Sequence, residues 1–128
     1  MCGRLTQCYE NHAVLAKYRP VFSGIKGLES NFPVNFNLTP SQPLGVLKCN
    51  GDTGDVEWRW VLWGLLPAWQ KDPQTATRPI NARAETAAEK PTFRASMRHH
   101  RIIVPANGFY EWDRRGGSKQ PYYLYGRE

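Results

Sequence analysis

LGVLKCNGDTGDVEWRWVLW, residues 44–63, decides the fold class. Two apolar runs, 44–49 and 56–63, flank NGDTGD at 50–55, and Asn, Gly and Asp are the residues that tolerate the backbone angles of a tight reversal. The spacing predicts a β-hairpin whose second strand carries Val56, Trp58, Trp60 and Leu62 on one face. The same grammar recurs downstream. Short strands are expected over 101–104, 109–112 and 122–125, the last two joined by the RRGG turn at 114–117. Helices are expected over 84–90 and 92–99, interrupted by Pro91, and from an Asn11 cap to about Tyr18, where Pro20 ends the segment. Residues 30–43, with three prolines and two Phe, read as an extended segment laid over a surface, and 64–74 reads as a loop holding Pro67, Trp69 and Pro73. An α+β fold with a largely antiparallel sheet follows, and without a linker or internal repeat residues 1–128 read as a single domain.

Composition narrows the class. With 41% hydrophobic and 22% charged residues the chain reads as globular, and no stretch is long and apolar enough to cross a bilayer. Its first residues hold no secretory core, so a cytoplasmic location is expected, nucleoid-associated in a bacterium. Cys2, Cys8 and Cys49 form no CxxC or Cys/His ligand spacing; reduced thiols are expected, with no metal and no cofactor. Seventeen Lys and Arg against eleven Asp and Glu give a formal charge of +6, which favours a polyanionic partner. Five Trp, six Tyr and five Phe point further to unpaired nucleic acid, because bases stack on aromatic faces at roughly 1–3 kcal/mol each. The competing account places most of these rings in the core.

Three groups of residues carry chemistry. Removal of Met1 would leave Cys2 with its α-amine and thiol on adjacent carbons, a 1,2-aminothiol. An α-amine with a pKa of ~8 is far more often neutral at pH 7 than a lysine amine near ~10.4, so it can attack the aldehyde of a ring-opened abasic sugar. The neighbouring thiolate can then close a five-membered thiazolidine. On position alone, a cysteine after the initiator is more often inert. In PINARAET, 79–86, Asn81 and Arg83 fall on one side if extended, suited to a sugar oxygen and a phosphate; a helix cap with surface charge is the other reading. In NGFYEW, 107–112, Glu111 between two aromatics is expected to exchange protons near neutral pH, unless it is a sheet glutamate facing solvent. His99 and His100, between Arg98 and Arg101, read as a phosphate-facing or solvated surface.

MCGR at 1–4, FNLTP at 36–40, WGLLPAW at 63–69, INARAET at 80–86 and NGFYEW at 107–112, in this order, resemble the SOS response-associated peptidase (SRAP) family of abasic-site processing proteins. The resemblance spans essentially the whole chain. It implies a barrel-like, largely antiparallel SRAP fold, single-stranded DNA containing abasic sites as partner, and a thiazolidine cross-link through Cys2. By the same resemblance Asn81 and Glu111 assist at the reacting sugar, Glu111 as general acid and base, while Arg4, Trp69, Arg83 and Trp112 line the DNA groove. Removal of Met1, by the chain itself or by an aminopeptidase, is where the peptidase label comes from. No Ser/His/Asp or Cys/His grouping supports proteolysis of other proteins.

One departure modifies these expectations. Domains of this family usually continue through further strands and an IHxRMP-like motif whose His is a second acid/base group, whereas this sequence stops at Glu128 and neither His99 nor His100 matches that motif. The expectation is a C-terminally shortened domain with exposed strand edges, completed by another copy or a complementing chain, and with reduced activity. The alternative is a single-stranded-DNA-binding fragment that does no chemistry.

Overall fold

The computed structural model describes residues 2–8, 16–18, 24–27 and 34–126. Among the described residues eight strands form two four-stranded sheets. In the first, β1 (Leu5–Cys8), β3 (Val34–Leu38), β7 (Gly108–Asp113) and β8 (Gln120–Tyr125) lie in the order β3-β1-β7-β8. In the second, β2 (Ile25–Lys26), β4 (Pro43–Cys49), β5 (Val56–Leu62) and β6 (Ile102–Ile103) lie in the order β2-β5-β4-β6. Every pairing is antiparallel except β2 with β5. With the short helices α1 (Ala84–Ala87) and α2 (Pro91–His99) the sheets make an α+β fold.

The hairpin read from 44–63 is present, in register from Pro43 opposite Leu62 to Cys49 opposite Val56. Its turn closes through Asn50 N–H donating to the Asp55 carbonyl at 2.8 Å and Gly54 N–H donating to the Asn50 carbonyl at 2.8 Å. Gly54 sits at φ 73°, a conformation that glycine adopts without steric cost. Lys26 reaches the turn from β2, with Nζ 2.6 Å from Asp55 Oδ2, and that bond holds the Asp55 carboxyl below the usual carboxylate range.

The apolar stripe on β5 divides, contrary to the even alternation expected. Val56 and Trp58 are buried, but Trp60 and Leu62 on the same face are exposed, while Val61 and Trp63 from the other face pack on the core of Leu5, Leu38, Leu44 and Val46. The reason lies in β4, which is buried on both faces over Leu44, Gly45, Val46 and Leu47. Trp58 covers Gly45 so closely that a Cβ there would stand 1.9 Å from its ring.

Two other local expectations shift. The segment expected to lie over a surface instead enters the first sheet as β3, and a turn at 39–42 carries the chain directly into β4 of the second. Pro91 starts α2 instead of interrupting a helix, as a residue with fixed φ and no N–H does best at the first helical position, so the preceding helix is limited to Ala84–Ala87. Residues 16–18 are helical, whereas the Asn11 cap and Pro20 fall outside the described residues.

The two sheets are tied by a side chain. Gln7 on β1 is 1% exposed; its Nε2 donates to the carbonyls of Gly45 (2.8 Å) and Pro105 (2.7 Å), and its Oε1 accepts from Gly45 N–H (2.9 Å). β6 pairs with β4 only at Leu47 and Lys48, so Gln7 completes the β4 edge where β6 does not reach.

Candidate active site

Residues 2–4 lead straight into β1, and β1 lies against β7 with Leu5 opposite Phe109 and Thr6 opposite Gly108. Tyr110 N–H donates to the Arg4 carbonyl at 2.9 Å, extending that register by one pair. Glu111 therefore stands level with Gly3, one residue from Cys2. Side chains of successive strand residues alternate in face, so Glu111 shares the face of Phe109, and Tyr110 and Trp112 share the other.

Cys2 is half-buried, its Sγ 3.5 Å from the Arg4 carbonyl. Asn81 Nδ2 donates to the Cys2 carbonyl at 2.6 Å, fixing the main chain of the residue that carries the candidate nucleophile. Asn81 is itself held in place. Trp63 Nε1 donates to the Ile80 carbonyl at 2.9 Å and Leu65 N–H to the Pro79 carbonyl at 2.9 Å, while Gly64 between them adopts φ 130°.

Arg4 is oriented from two sides. Its Nη1 donates to Asn37 Oδ1 at 2.8 Å, and its guanidinium lies 5.7 Å from the centre of the Trp112 ring, within cation–π range. Pieces of sequence far apart in the chain, MCGR, FNLTP, INARAET and NGFYEW, thus meet through Cys2–Asn81, Arg4–Asn37 and Arg4–Trp112. Trp69, 59% exposed on the 64–74 loop, and Arg83, exposed immediately before α1, stand on the segment leading up to and past Asn81.

Several residues without an expected role support this cluster. Asn37, within FNLTP, anchors Arg4, and Asn107 Oδ1 accepts the Cys8 N–H at 2.7 Å, a side-chain tie beside the β1–β7 pair. Burial pushes the Cys8 thiol up, only partly offset by a hydrogen bond with the Asn35 backbone, which keeps Cys8 a poor nucleophile. His99 and His100 line a surface cavity with Lys48, Asp52, Glu57 and Arg59 on the second sheet's hairpin, so the basic run meets mixed charge there. Among the described residues no three His, Cys, Asp or Glu side chains converge as metal ligands, and no helix is long and apolar enough to cross a membrane.

Solved structures of bacterial proteins share this fold. A Bacteroides thetaiotaomicron protein superposes with TM-score 0.73 at 27% identity, covering 97% of this chain and 54% of that one. A phage-related protein from Bordetella bronchiseptica reaches TM-score 0.76 at 24% identity, over 98% and 55%. The chain belongs to the SOS response associated peptidase (SRAP) family, whose profile matches residues 1–128. It is 36% identical to abasic site processing protein YoqW of Bacillus subtilis over 89% of this chain and 49% of the relative. It is 34% identical to abasic site processing protein HMCES of Xenopus tropicalis over 85% and 31%, and 30% identical to abasic site processing protein YedK of Escherichia coli over 98% and 54%. The chain spans about half the length of the bacterial relatives it matches.

Proposed function

We propose that this chain, after loss of Met1, captures abasic sites in single-stranded DNA as a covalent thiazolidine on Cys2. The observation that carries the reading is the 2.6 Å bond from Asn81 to the Cys2 carbonyl, because it immobilises a terminal residue whose main chain would otherwise be free to fray. The names of the relatives, abasic site processing proteins, support the abasic site as the lesion.

Hydrolysis of the Met1–Cys2 peptide bond frees the α-amine. That amine adds to the C1′ aldehyde of the ring-opened sugar, the carbinolamine loses water to give an imine, and the thiolate adds to the imine carbon as the nitrogen takes up a proton. One water leaves, one C–N and one C–S bond form, and no oxidant or reductant is needed. Ring opening and loss of water both require a proton donor, a role we give to Glu111, level with Gly3 on β7. Asn81 keeps the amine and thiol in register with the sugar, and Arg4, Arg83, Trp69 and Trp112 hold the flanking strand.

The test is a denaturing gel of the protein incubated with single-stranded DNA bearing one abasic site: a band shifted by the protein's mass is expected, and its absence with a protein shown by intact mass to begin at Cys2 would overturn the proposal. Glu111→Gln should retain affinity and slow the cross-linking time-course by about 10²–10⁴-fold. An unchanged rate would remove Glu111 from the chemistry. Affinity for unpaired DNA should fall as salt rises, and Trp69→Ala should weaken binding by roughly 5- to 100-fold with the same salt slope, as lost stacking requires; a changed slope would instead mean a displaced phosphate contact.

A second reading, binding without efficient chemistry, draws on one feature. On the Glu111 face of β7 and β8, Phe109, Tyr122 and Leu124 are 39%, 55% and 41% exposed, so water reaches the candidate acid/base residue from an uncovered side. Another copy or a complementing chain seated on that face would exclude the water and supply a neighbour for β8.

A further inference from the structure

We infer that the opposite face of the same strands is a base-stacking track for unpaired DNA, leading away from Cys2 and ending on Tyr125. This rests on the reading of the chain as a single-stranded-DNA binder and extends it to residues with no role so far. The β7–β8 register puts Tyr110 opposite Tyr123 and Gly108 opposite Tyr125, so Trp112, Tyr110, Tyr123 and Tyr125 project from one face. They form a continuous series of rings that starts at Arg4: Arg4 to Trp112 at 5.7 Å, Trp112 to Tyr110 at 6.5 Å, Tyr110 to Tyr123 at 5.0 Å and Tyr123 to Tyr125 at 5.8 Å. The last pair is stacked, with 24° between the ring planes, so Tyr125 continues the direction set by Tyr123.

The inner rings are fixed before any ligand arrives. Tyr123 and Thr6 share a hydroxyl–hydroxyl bond of 2.7 Å, and the Tyr110 hydroxyl donates to the Phe36 carbonyl at 3.3 Å. Tyr123 crosses Gly108 so closely that a Cβ there would stand 2.5 Å from its ring and hydroxyl. Tyr125, by contrast, is 70% exposed, which packing alone does not explain for the outermost ring of a rigid series.

Charge and chemistry favour nucleic acid over a protein as the occupant. This face carries Trp112 and three tyrosines in one unbroken series, whereas the other face of the same two strands sets the aliphatic and phenyl side chains of Leu124 and Phe109 beside Tyr122 and Glu111, with no such series of rings. Arg4 caps the inner end, and the β7–β8 turn beside Trp112 holds Arg114, Arg115 and Lys119 against Asp113, within a chain of formal charge +6. A polyanion with flat, unpaired bases matches both features.

The experiment compares wild type with Tyr125→Ala, Tyr125→Phe and Tyr125→Leu on intact oligothymidylate of about 12 nucleotides, a length within the span such sites cover. Tyr125→Phe should bind within about twofold of wild type, while Tyr125→Ala and Tyr125→Leu should each lose roughly 5- to 100-fold with an unchanged salt slope and melting temperature. In parallel, cross-linking of a short abasic oligonucleotide that ends near Trp112 should be equal in all four proteins. Equal affinity of Tyr125→Ala and wild type overturns the track, and so does Tyr125→Leu binding as well as Tyr125→Phe, since mere apolar contact would then suffice. A wild-type dimer split by Tyr125→Ala with DNA affinity intact would make the face a protein interface and overturn it equally. Failure of wild type to cross-link the short oligonucleotide would instead sink the proposed function, whatever Tyr125 does.

Discussion

Cys2→Ala is expected to eliminate the stable cross-link while leaving non-covalent affinity for single-stranded DNA near that of the parent. Alanine at the mature terminus still offers an α-amine, so an imine can form at the abasic aldehyde, but nothing adjacent can add to the imine carbon and hydrolysis returns the free aldehyde. Cys2→Ser should give at most a slower and more reversible product, because a hydroxyl at neutral pH is a far weaker ring-closing nucleophile than a partly ionised thiol. Cys8 and Cys49 cannot substitute: neither has an α-amine beside it, and burial raises the Cys8 thiol further from ionisation. The two steps can be separated on one gel. A mild hydride reductant added to the Cys2→Ala reaction should trap the imine as a permanent band, whereas without reductant the lane should be empty. A Cys2→Ala band that persists without reductant would move the chemistry to a lysine. Protein that retains Met1, identified by intact mass, should likewise give no stable band without reductant, since its Cys2 nitrogen is an amide and the Met1 amine has no thiol on the adjacent carbon.

How much of this was legible in the sequence differs between the fold and the site for one physical reason, the range over which a residue's partner lies. The 44–63 hairpin could be read because both strands and the turn are contiguous, so run length, turn residues and register all sit within twenty letters. The β1–β7 pairing could not, since Thr6 and Gly108 are 102 positions apart and neither carries a mark of the other. The split of the β5 stripe was hidden for a related reason. Whether Trp60 or Val61 is covered depends on which face of β4 meets Leu5 and Leu38, contributed by the other sheet.

At the site, chemistry that resides in one residue was readable and chemistry that resides in a contact was not. Cys2 announces an aminothiol by its position alone. Asn81 could be suspected as a polar ligand, but its observed bond is to the Cys2 carbonyl, a main-chain group that any residue type would present. Arg4 and Trp112 were each expected near DNA through the family resemblance, yet their stacking on one another and the Asn37 bond that aims Arg4 emerge only from the folded arrangement. The tyrosine series is a further case. Tyr110, Tyr123 and Tyr125 read as alternating strand residues, and only the β7–β8 register turns them into neighbours.

Gln7 was the least visible of all, and its replacement should have the largest effect on stability. In LTQC a glutamine looks like the solvent-facing member of a short strand, but the side chain is buried and makes three hydrogen bonds to two distant segments. Gln7→Leu keeps nearly the same volume and strands three main-chain groups: the N–H and carbonyl of Gly45 and the carbonyl of Pro105. A buried polar group left without a partner costs about 1–3 kcal/mol, so a loss of about 3–5 kcal/mol is expected after partial relaxation. Against a total stability of roughly 5–15 kcal/mol this leaves the fold marginal or lost. Gln7→Glu should be worse at neutral pH, because a carboxylate would face two carbonyl oxygens where the amide donated. Gln7→Asn, one methylene short, should fall between wild type and Gln7→Leu. Urea titrations followed by tryptophan fluorescence and far-ultraviolet circular dichroism decide the order, with a lowered midpoint at constant slope indicating a true change in stability. A Gln7→Leu protein within about 1 kcal/mol of wild type would mean that water or a shifted β6 satisfies Gly45 instead. Function should follow stability here, since residues 2–4 take their position from β1. A variant that loosens β1 from β4 should therefore lose cross-linking rate at temperatures below its melting transition, and Gln7→Asn, still folded, is the protein in which to measure it.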